Sequence, residues 1–240
     1  MKTLVVVPVY NESKNILKVI DELKKEKYPY DILIVNDAST DNTLELLKNT
    51  GVKVISNTFN MGYAHSIQLG IRYAYKYSYD YVVLFDGDTQ HIASYIPKLI
   101  EKNIETKSDL VIGSRYLDGS YKQYFFRLVG TKLFSILIRL FCHKKITDPL
   151  SGMQCLNKRV IKYYACMENY PNIVDANLII DLLLKGYKIE EVPVKMRNRV
   201  EGKSMHSGIF KPIKYMISII YAIIVILIIN IGRSRWIIFS

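Results

Sequence analysis

From Met1 to about Gly113 the chain alternates continuous apolar runs with stretches whose apolar residues recur at helical spacing. This alternation constrains the fold more than any other feature. The runs are Leu4–Val7, Ile32–Val35, Val52–Ile55, Val82–Phe85 and Leu110–Ile112. Between the first two, Ile16, Leu17, Ile20 and Leu23 mark one helix face, with Ser13 as the expected cap. Asp41 or Thr40 is the expected cap of a second helix carrying Leu44 and Leu47, and a third is expected from about Gly62 to Tyr77. Strands without polar alternation are buried on both faces, so the pattern predicts an α/β fold with a mainly parallel sheet flanked by helices. Open sheets of this kind collect ligands at the carboxyl ends of their strands.

Three polar clusters fall at those ends: "PVYNES" after the first run, "NDAST" after the second and "DGDTQH" after the fourth. In the last, Asp86, Asp88 and Gln90 occupy alternate positions, and an extended backbone would turn all three to one side. Two carboxylates and an amide oxygen suit a hard divalent cation, Mg²⁺ or Mn²⁺, which is commonly held by one or two carboxylates plus substrate phosphates. Gly87 between them is expected to let a ligand approach the backbone closely. Asp37 can accept a nucleobase N–H, while Ser39 and Thr40 read as caps of the following helix. Arg115, after the fifth run, can neutralise a diphosphate.

Beyond Ser114 the character changes. Residues 124–141 mix apolar residues with Arg127, Lys132 and Arg139, as an amphipathic helix does. A further helix, a stop at Gly186 and a strand from Lys188 to Val194 follow. Tyr215–Ile231 is almost wholly apolar and bounded by Lys211, Lys214, Arg233, Arg235 and Trp236. As a helix it is roughly 25 Å long, short of a hydrocarbon core of about 30 Å. Basic and aromatic anchors around a charge-free stripe predict membrane attachment, spanning or lying in the interface. The expected division is a catalytic domain over 1–208 and a membrane-associating segment over 209–240.

The net charge of +11 (33 Lys and Arg against 22 Asp and Glu) points to an anionic partner. Three cysteines without a Cys-x-x-Cys pairing fit a reduced setting and argue against a zinc site. The opening "MKTLVVVPVYNES" has too short an apolar run for a signal peptide. The expected location is therefore the cytoplasmic face of the cell membrane.

The stretches "VVVPVYNES", "IVNDASTDNT", "NMGYAHSIQLGIRYA", "FDGDTQH", "VIGSRYLDG", "ITDPLSGMQCLNKRVI" and "EVPVKMRNRVEGKSMH" resemble, in order, the motifs of family 2 inverting glycosyltransferases. More narrowly they resemble polyprenyl-phosphate (dolichol-phosphate mannosyltransferase-like) glycosyltransferases, from about Leu4 to His206. The resemblance implies a GT-A fold, a nucleotide-diphosphate sugar donor, with a UDP-sugar favoured, and Mg²⁺ or Mn²⁺. It places Pro8, Tyr10, Glu12, Asp37 and Ser39 at the nucleotide, and Asp86, Asp88 and Gln90 at the metal and diphosphate. Arg115, Arg127 and Arg199 match basic residues near an acceptor phosphate, and Asp148 matches a recurrent acidic position.

There are two departures. Ala38 stands where many relatives have Gly, a conservative change by size, and Asn177 stands where many have Glu, which argues against a catalytic carboxylate in that helix. Many relatives also carry two further membrane helices, which leaves room here for a homo-oligomer or a small membrane-protein partner. The expected reaction is sugar transfer to polyprenyl phosphate. The alternatives are a hydroxyl acceptor, with Asp148 as base, and, remotely, a basic membrane- or nucleic-acid-binding module without catalysis.

Overall fold

The computed structural model describes residues 1–118, 125–197 and 210–236, with only the backbone path for 125–127, 210–213 and 231–236. Its strands are β1 (Thr3–Val9), β2 (Asp31–Asn36), β3 (Lys53–Ser56), β4 (Tyr81–Leu84), β5 (Leu110–Ser114), β6 (Gln154–Asn157) and β7 (Ile189–Pro193). They form one sheet in the order β3-β2-β1-β4-β6-β5-β7. β6 runs antiparallel to both its neighbours, and the other pairings are parallel. The helices are α1 (Ile16–Lys25), α2 (Thr43–Lys48), α3 (Tyr63–Lys76), α4 (Ile96–Thr106), α5 (Phe125–Cys142), α6 (Lys158–Ala165), α7 (Ala176–Leu184) and α8 (Phe210–Trp236).

Alternate residues of β1 serve two cores, as the period of a strand requires. Val5, Val7 and Val9 face Ile16, Ile20 and Leu23 of α1 and Ile96, Leu99 and Ile100 of α4. Leu4 and Val6 face the opposite layer, built from α3, α5, α6, α7 and α8. There α3 lies so close to β1 that a Cβ on Gly70 would stand 2.3 Å from Val6 Cγ1. The C-terminal helix belongs to this layer too. Ile219 and Ile223 are buried in the same cluster as Phe134 and Ile138 of α5. Among the described residues no helix is long and apolar enough to cross a membrane.

Helix starts differ in part from expectation. Ser13 does not cap α1; the N–H groups of Asn15 and Ile16 instead reach the Glu12 carbonyl, both at 2.9 Å. Thr40 does not cap α2, whereas Asp41 accepts the Thr43 N–H at 3.0 Å. Gly186 ends α7 in the left-handed region at φ 76°, as its sequence position predicted.

Two topological facts gather the polar residues. β1 lies between β2 and β4, so the chain leaves it in opposite directions and opens a crevice at its carboxyl end. Because β6 is antiparallel, its beginning lies at the edge where β4 and β5 end, with Gln154 opposite Leu84 and Ile112. The loop before β6 is thereby brought to the same place.

Candidate active site

The loops after β1 and β2 are laced together at the crevice. The Asn11 side-chain oxygen accepts the N–H groups of Thr40 (2.8 Å) and Asp41 (3.3 Å). In return the Asn11 N–H donates to Ser39 Oγ (2.9 Å) and the Glu12 N–H to Thr43 Oγ1 (2.9 Å). Ser39 thus serves this lacing rather than capping α2. Pro8 is buried at the end of β1, Tyr10 is exposed, and Glu12 accepts a 2.7 Å bond from the Asn15 amide. Asn11, absent from the expected set, is the residue that joins the two loops.

Ala38 sits at φ 57°. The expectation that Ala for Gly is conservative considered size, but the difference is conformational. A residue with a Cβ is disfavoured in this region.

Asp37 is buried and its carboxylate has three internal donors. The Asn57 amide (2.7 Å) and Met61 N–H (2.8 Å) reach Oδ1, and the Gly62 N–H (2.8 Å) reaches Oδ2. A carboxylate at the amino end of α3 also meets the favourable end of the helix dipole. The next residue, Tyr63, donates its hydroxyl to Asp86 Oδ1 at 2.8 Å. The start of α3 therefore ties Asp37 to Asp86. Burial, followed by the Asp86 charge, raises the Tyr63 phenol well above its ordinary value, so it stays a donor.

The Asp86–Gln90 segment does not continue β4 as an extended strand. β4 ends at Leu84, a turn covers Gly87 and Asp88, and Thr89 adopts φ 68°. Asp88 Oδ1 accepts the Gln90 N–H at 3.0 Å, the Asx geometry that competes with a regular strand. Gly87 has a packing reason of its own: an added Cβ would lie 2.7 Å from Val9 Cγ1. On the other side, a Cβ on Gly152 would come within 3.0 Å of Asp86 Oδ2, so Gly152 leaves that oxygen room. His91 Nδ1 accepts the Asp86 N–H at 3.0 Å, which puts the neutral ring's hydrogen on Nε2, 3.4 Å from Asp86 Oδ2. Gln90 exchanges bonds with Arg197, whose N–H donates to the Gln90 carbonyl (2.9 Å) and whose carbonyl accepts from Nε2 (3.3 Å).

Among the described residues, no group of three or more His, Cys, Asp or Glu side chains is arranged to hold a metal. The donors nonetheless fit Mg²⁺ or Mn²⁺. Two carboxylates and an amide oxygen are hard ligands, and such ions take their remaining positions from substrate phosphates and water. The room that Gly152 leaves at Asp86 Oδ2 is the feature of the fold that favours this fit.

Arg115 and Asp148 come together through the antiparallel β6. Arg115 is 9% exposed and Asp148 0%. Glu191 of β7 fixes the Asp148 loop by accepting the Thr147 N–H (2.8 Å) and the Asp148 N–H (3.0 Å). A fully buried, ion-paired Asp148 is a counter-ion rather than a proton acceptor. This corrects the base role considered for it with a hydroxyl acceptor. Arg127 lies in α5 with its side chain outside the described residues, and Arg199 lies wholly outside them.

One carboxylate was missed. Asp175, at the start of α7, lines a cavity with Leu84, Gln154, Tyr164 and Tyr170. Burial pushes its carboxyl up to about 6 against the lowering pull of the Tyr215 hydroxyl and the Arg115 charge; Asp86 and Asp148 add to the rise. Asn177 holds it in place: its side-chain oxygen accepts the Asp175 N–H (3.0 Å) while its nitrogen donates to the Ile173 carbonyl (2.8 Å). A Glu at 177 has no donor for that carbonyl. The sequence signal for Asp175 is its place in "VDANLII", two residues before Asn177.

Loops at a topological switch point, an acidic pair after β4 and a buried Arg–Asp pair opposite define a GT-A type enzyme. A family model described as Glycosyl transferase family 2 matches residues 4–164, and the chain belongs to that family. It is 33% identical over 220 residues to a dolichol-phosphate mannosyltransferase from Pyrococcus furiosus, with 87% of this chain and 60% of that protein covered. The chain thus spans less than two thirds of that relative's length. It is 25% identical over 217 residues to a polyprenol monophosphomannose synthase from Mycolicibacterium smegmatis, covering 86% of this chain and 82% of that one. Among solved structures, glucosyl-3-phosphoglycerate synthase from Mycobacterium tuberculosis, in complex with Mn²⁺, UDP and phosphoglyceric acid, shares the fold. Its TM-score is 0.66 at 17% identity, with 92% of this chain and 78% of that chain covered.

Proposed function

We propose that this glycosyltransferase moves a sugar from a nucleotide-diphosphate donor, with UDP-sugars favoured, to polyprenyl phosphate at the cytoplasmic face of a membrane. The observation that carries the reading is Asp86, oriented by Tyr63 and left open by Gly152, at the same crevice as Asp37. The oxygen donors Asp86, Asp88 and Gln90 would hold Mg²⁺ or Mn²⁺. When bound, such an ion offsets the negative charge developing on the leaving diphosphate. A phosphate oxygen of the acceptor forms the new bond to the anomeric carbon as the bond to the donor β-phosphate breaks, and the configuration inverts. The acceptor is already an anion at neutral pH, so no general base is required. Pro8, Tyr10, Glu12, Asp37 and Ser39 frame the nucleotide, and Arg115, with Arg127 and Arg199, draws in the acceptor phosphate.

The lipid half of the reading rests on the outer faces of α5 and α8. Ile136 and Leu140 of α5 are exposed beside Lys132 and Arg139, and Ile217, Tyr221, Ile224 and Ile228 form an exposed charge-free stripe on α8. Apolar side chains among cations suit an anionic bilayer surface. The purified chain, supplied with labelled nucleotide sugars, polyprenyl phosphate and Mg²⁺ or Mn²⁺, is expected to yield a butanol-extractable phosphosugar. A product formed only on hydroxyl acceptors would replace the acceptor assignment, and Asp175 would then be the carboxylate placed to act as base.

A further inference from the structure

The C-terminal helix reaches the site. The Tyr215 hydroxyl, in the second turn of α8, donates to the Asp175 carboxylate. Asp175 precedes α7, the helix on which α8 packs. Its loop, residues 171–175, lies outside regular structure; Ile173 and Val174 pack against the helix layer, the Asp175 carbonyl accepts the Leu178 N–H at 3.0 Å, and the Asn177 side chain bonds the Asp175 N–H and the Ile173 carbonyl. α8 itself is anchored by Ile219 and Ile223, while Ile217, Tyr221, Ile224 and Ile228 are exposed.

From this geometry we infer that Tyr215 is a positioning residue which couples the seating of α8 on a lipid surface to the placement of Asp175 beside the transfer site. The occupant of the exposed stripe is a bilayer with anionic headgroups. No charged residue occurs between Tyr215 and Asn230; Lys214 is exposed at the start of the stripe, and Lys132 and Arg139 are exposed on α5. α8 thus acts on Asp175 through Tyr215 as well as serving as an attachment. A shift of the helix by even part of a turn withdraws the hydroxyl, and the Asp175 carboxylate loses its bond to α8.

The activity arm of the test rests on the proposed transfer reaction, and the exchange arm does not. Hydrogen–deuterium exchange over residues 172–178 is followed in the full chain with and without vesicles of phosphatidylcholine and phosphatidylglycerol. Emission of the single tryptophan, Trp236, reports vesicle binding. Vesicles are expected to slow exchange of 172–178 in the wild type and in Y221F, whose tyrosine lies on the exposed stripe. Y215F, which removes only the hydroxyl, is expected to bind vesicles without slowing that exchange. D175A breaks the same bond from the other end and is expected to match it. In transfer assays Y215F is expected to lower kcat about tenfold with donor KM within about twofold, the signature of misplacement rather than lost donor binding. Wild-type exchange that ignores vesicles, or a Y215F response equal to wild type, overturns the inference. A wild-type chain that transfers no sugar overturns the proposed reaction instead, and the exchange comparison still decides the coupling.

Discussion

Arg115 and Asp148 form a buried two-point ion pair, with Nε 2.6 Å from Oδ2 and Nη2 2.7 Å from Oδ1. The Arg115 N–H adds a third bond to Oδ2 at 3.0 Å. Sequence places these residues on opposite sides of α5, and only the antiparallel β6 brings them together. The guanidinium is consequently fixed at the sheet edge, and its charge bears on Asp175.

Removing one partner leaves an uncompensated buried charge. Asp148→Leu and Arg115→Met are each expected to destabilise the fold by about 3–5 kcal/mol, whereas the double change costs less than either single one. Urea midpoints of the three variants test this. A double variant as unstable as the sum of the singles would deny the pairing.

Gly152→Ala brings a methyl to 3.0 Å from Asp86 Oδ2 and 3.2 Å from the Tyr63 hydroxyl. The crowded atoms are polar side-chain ends that can shift by a few tenths of an ångström, so stability is expected to fall by only about 1 kcal/mol. Metal-dependent nucleotide binding is expected to weaken roughly tenfold, since the displaced carboxylate is the proposed ligand. Thermal shift with Mn²⁺ and nucleotide reads both quantities.

Ala38→Gly is expected to stabilise the chain by about 0.5–1 kcal/mol, because the native φ of 57° strains a residue with a Cβ. A guanidinium chloride titration checks the sign. If the strain holds the β2 loop against Asn11, the same change will also raise donor KM.

Asp175 gives stability a particular pH dependence. Its folded value of about 6 lies above the ordinary 3.8, chiefly because burial disfavours the anion. Below pH 4 the carboxyl is neutral in folded and unfolded chains and costs nothing. Between pH 4 and 6 the unfolded chain ionises first, so stability is lost as pH rises, on the order of 3 kcal/mol in all. Asp175→Asn lacks this loss. Its stability advantage over wild type is expected to grow from pH 4 to pH 7 and then level off; a constant difference across that range would count against the burial of this charge.

How far the sequence reaches is visible at particular residues. Val5 and Val7 alternate with Leu4 and Val6 to fill two cores, and continuous apolar runs fix such strands whatever their neighbours are. The acidic cluster after β4 was legible for the same reason, since a strand's end is a local event. Its geometry was not: Asp88 closes a turn on Gln90, and Gly87 is set by Val9, a contact 78 positions away in the chain. Asp148 read as a possible base because a sequence does not show burial.

The sequence by itself determined the α/β layering, the strand ends that carry polar residues, the amphipathic character of α5 and the apolar character of α8, because these depend on local periodicity and composition. Only the tertiary structure decided that Arg115 meets Asp148, that Tyr63 meets Asp86 and that Tyr215 meets Asp175. Each joins side chains far apart in the chain, and their orientation follows from burial and pairing that exist only once the sheet and its two helix layers have closed.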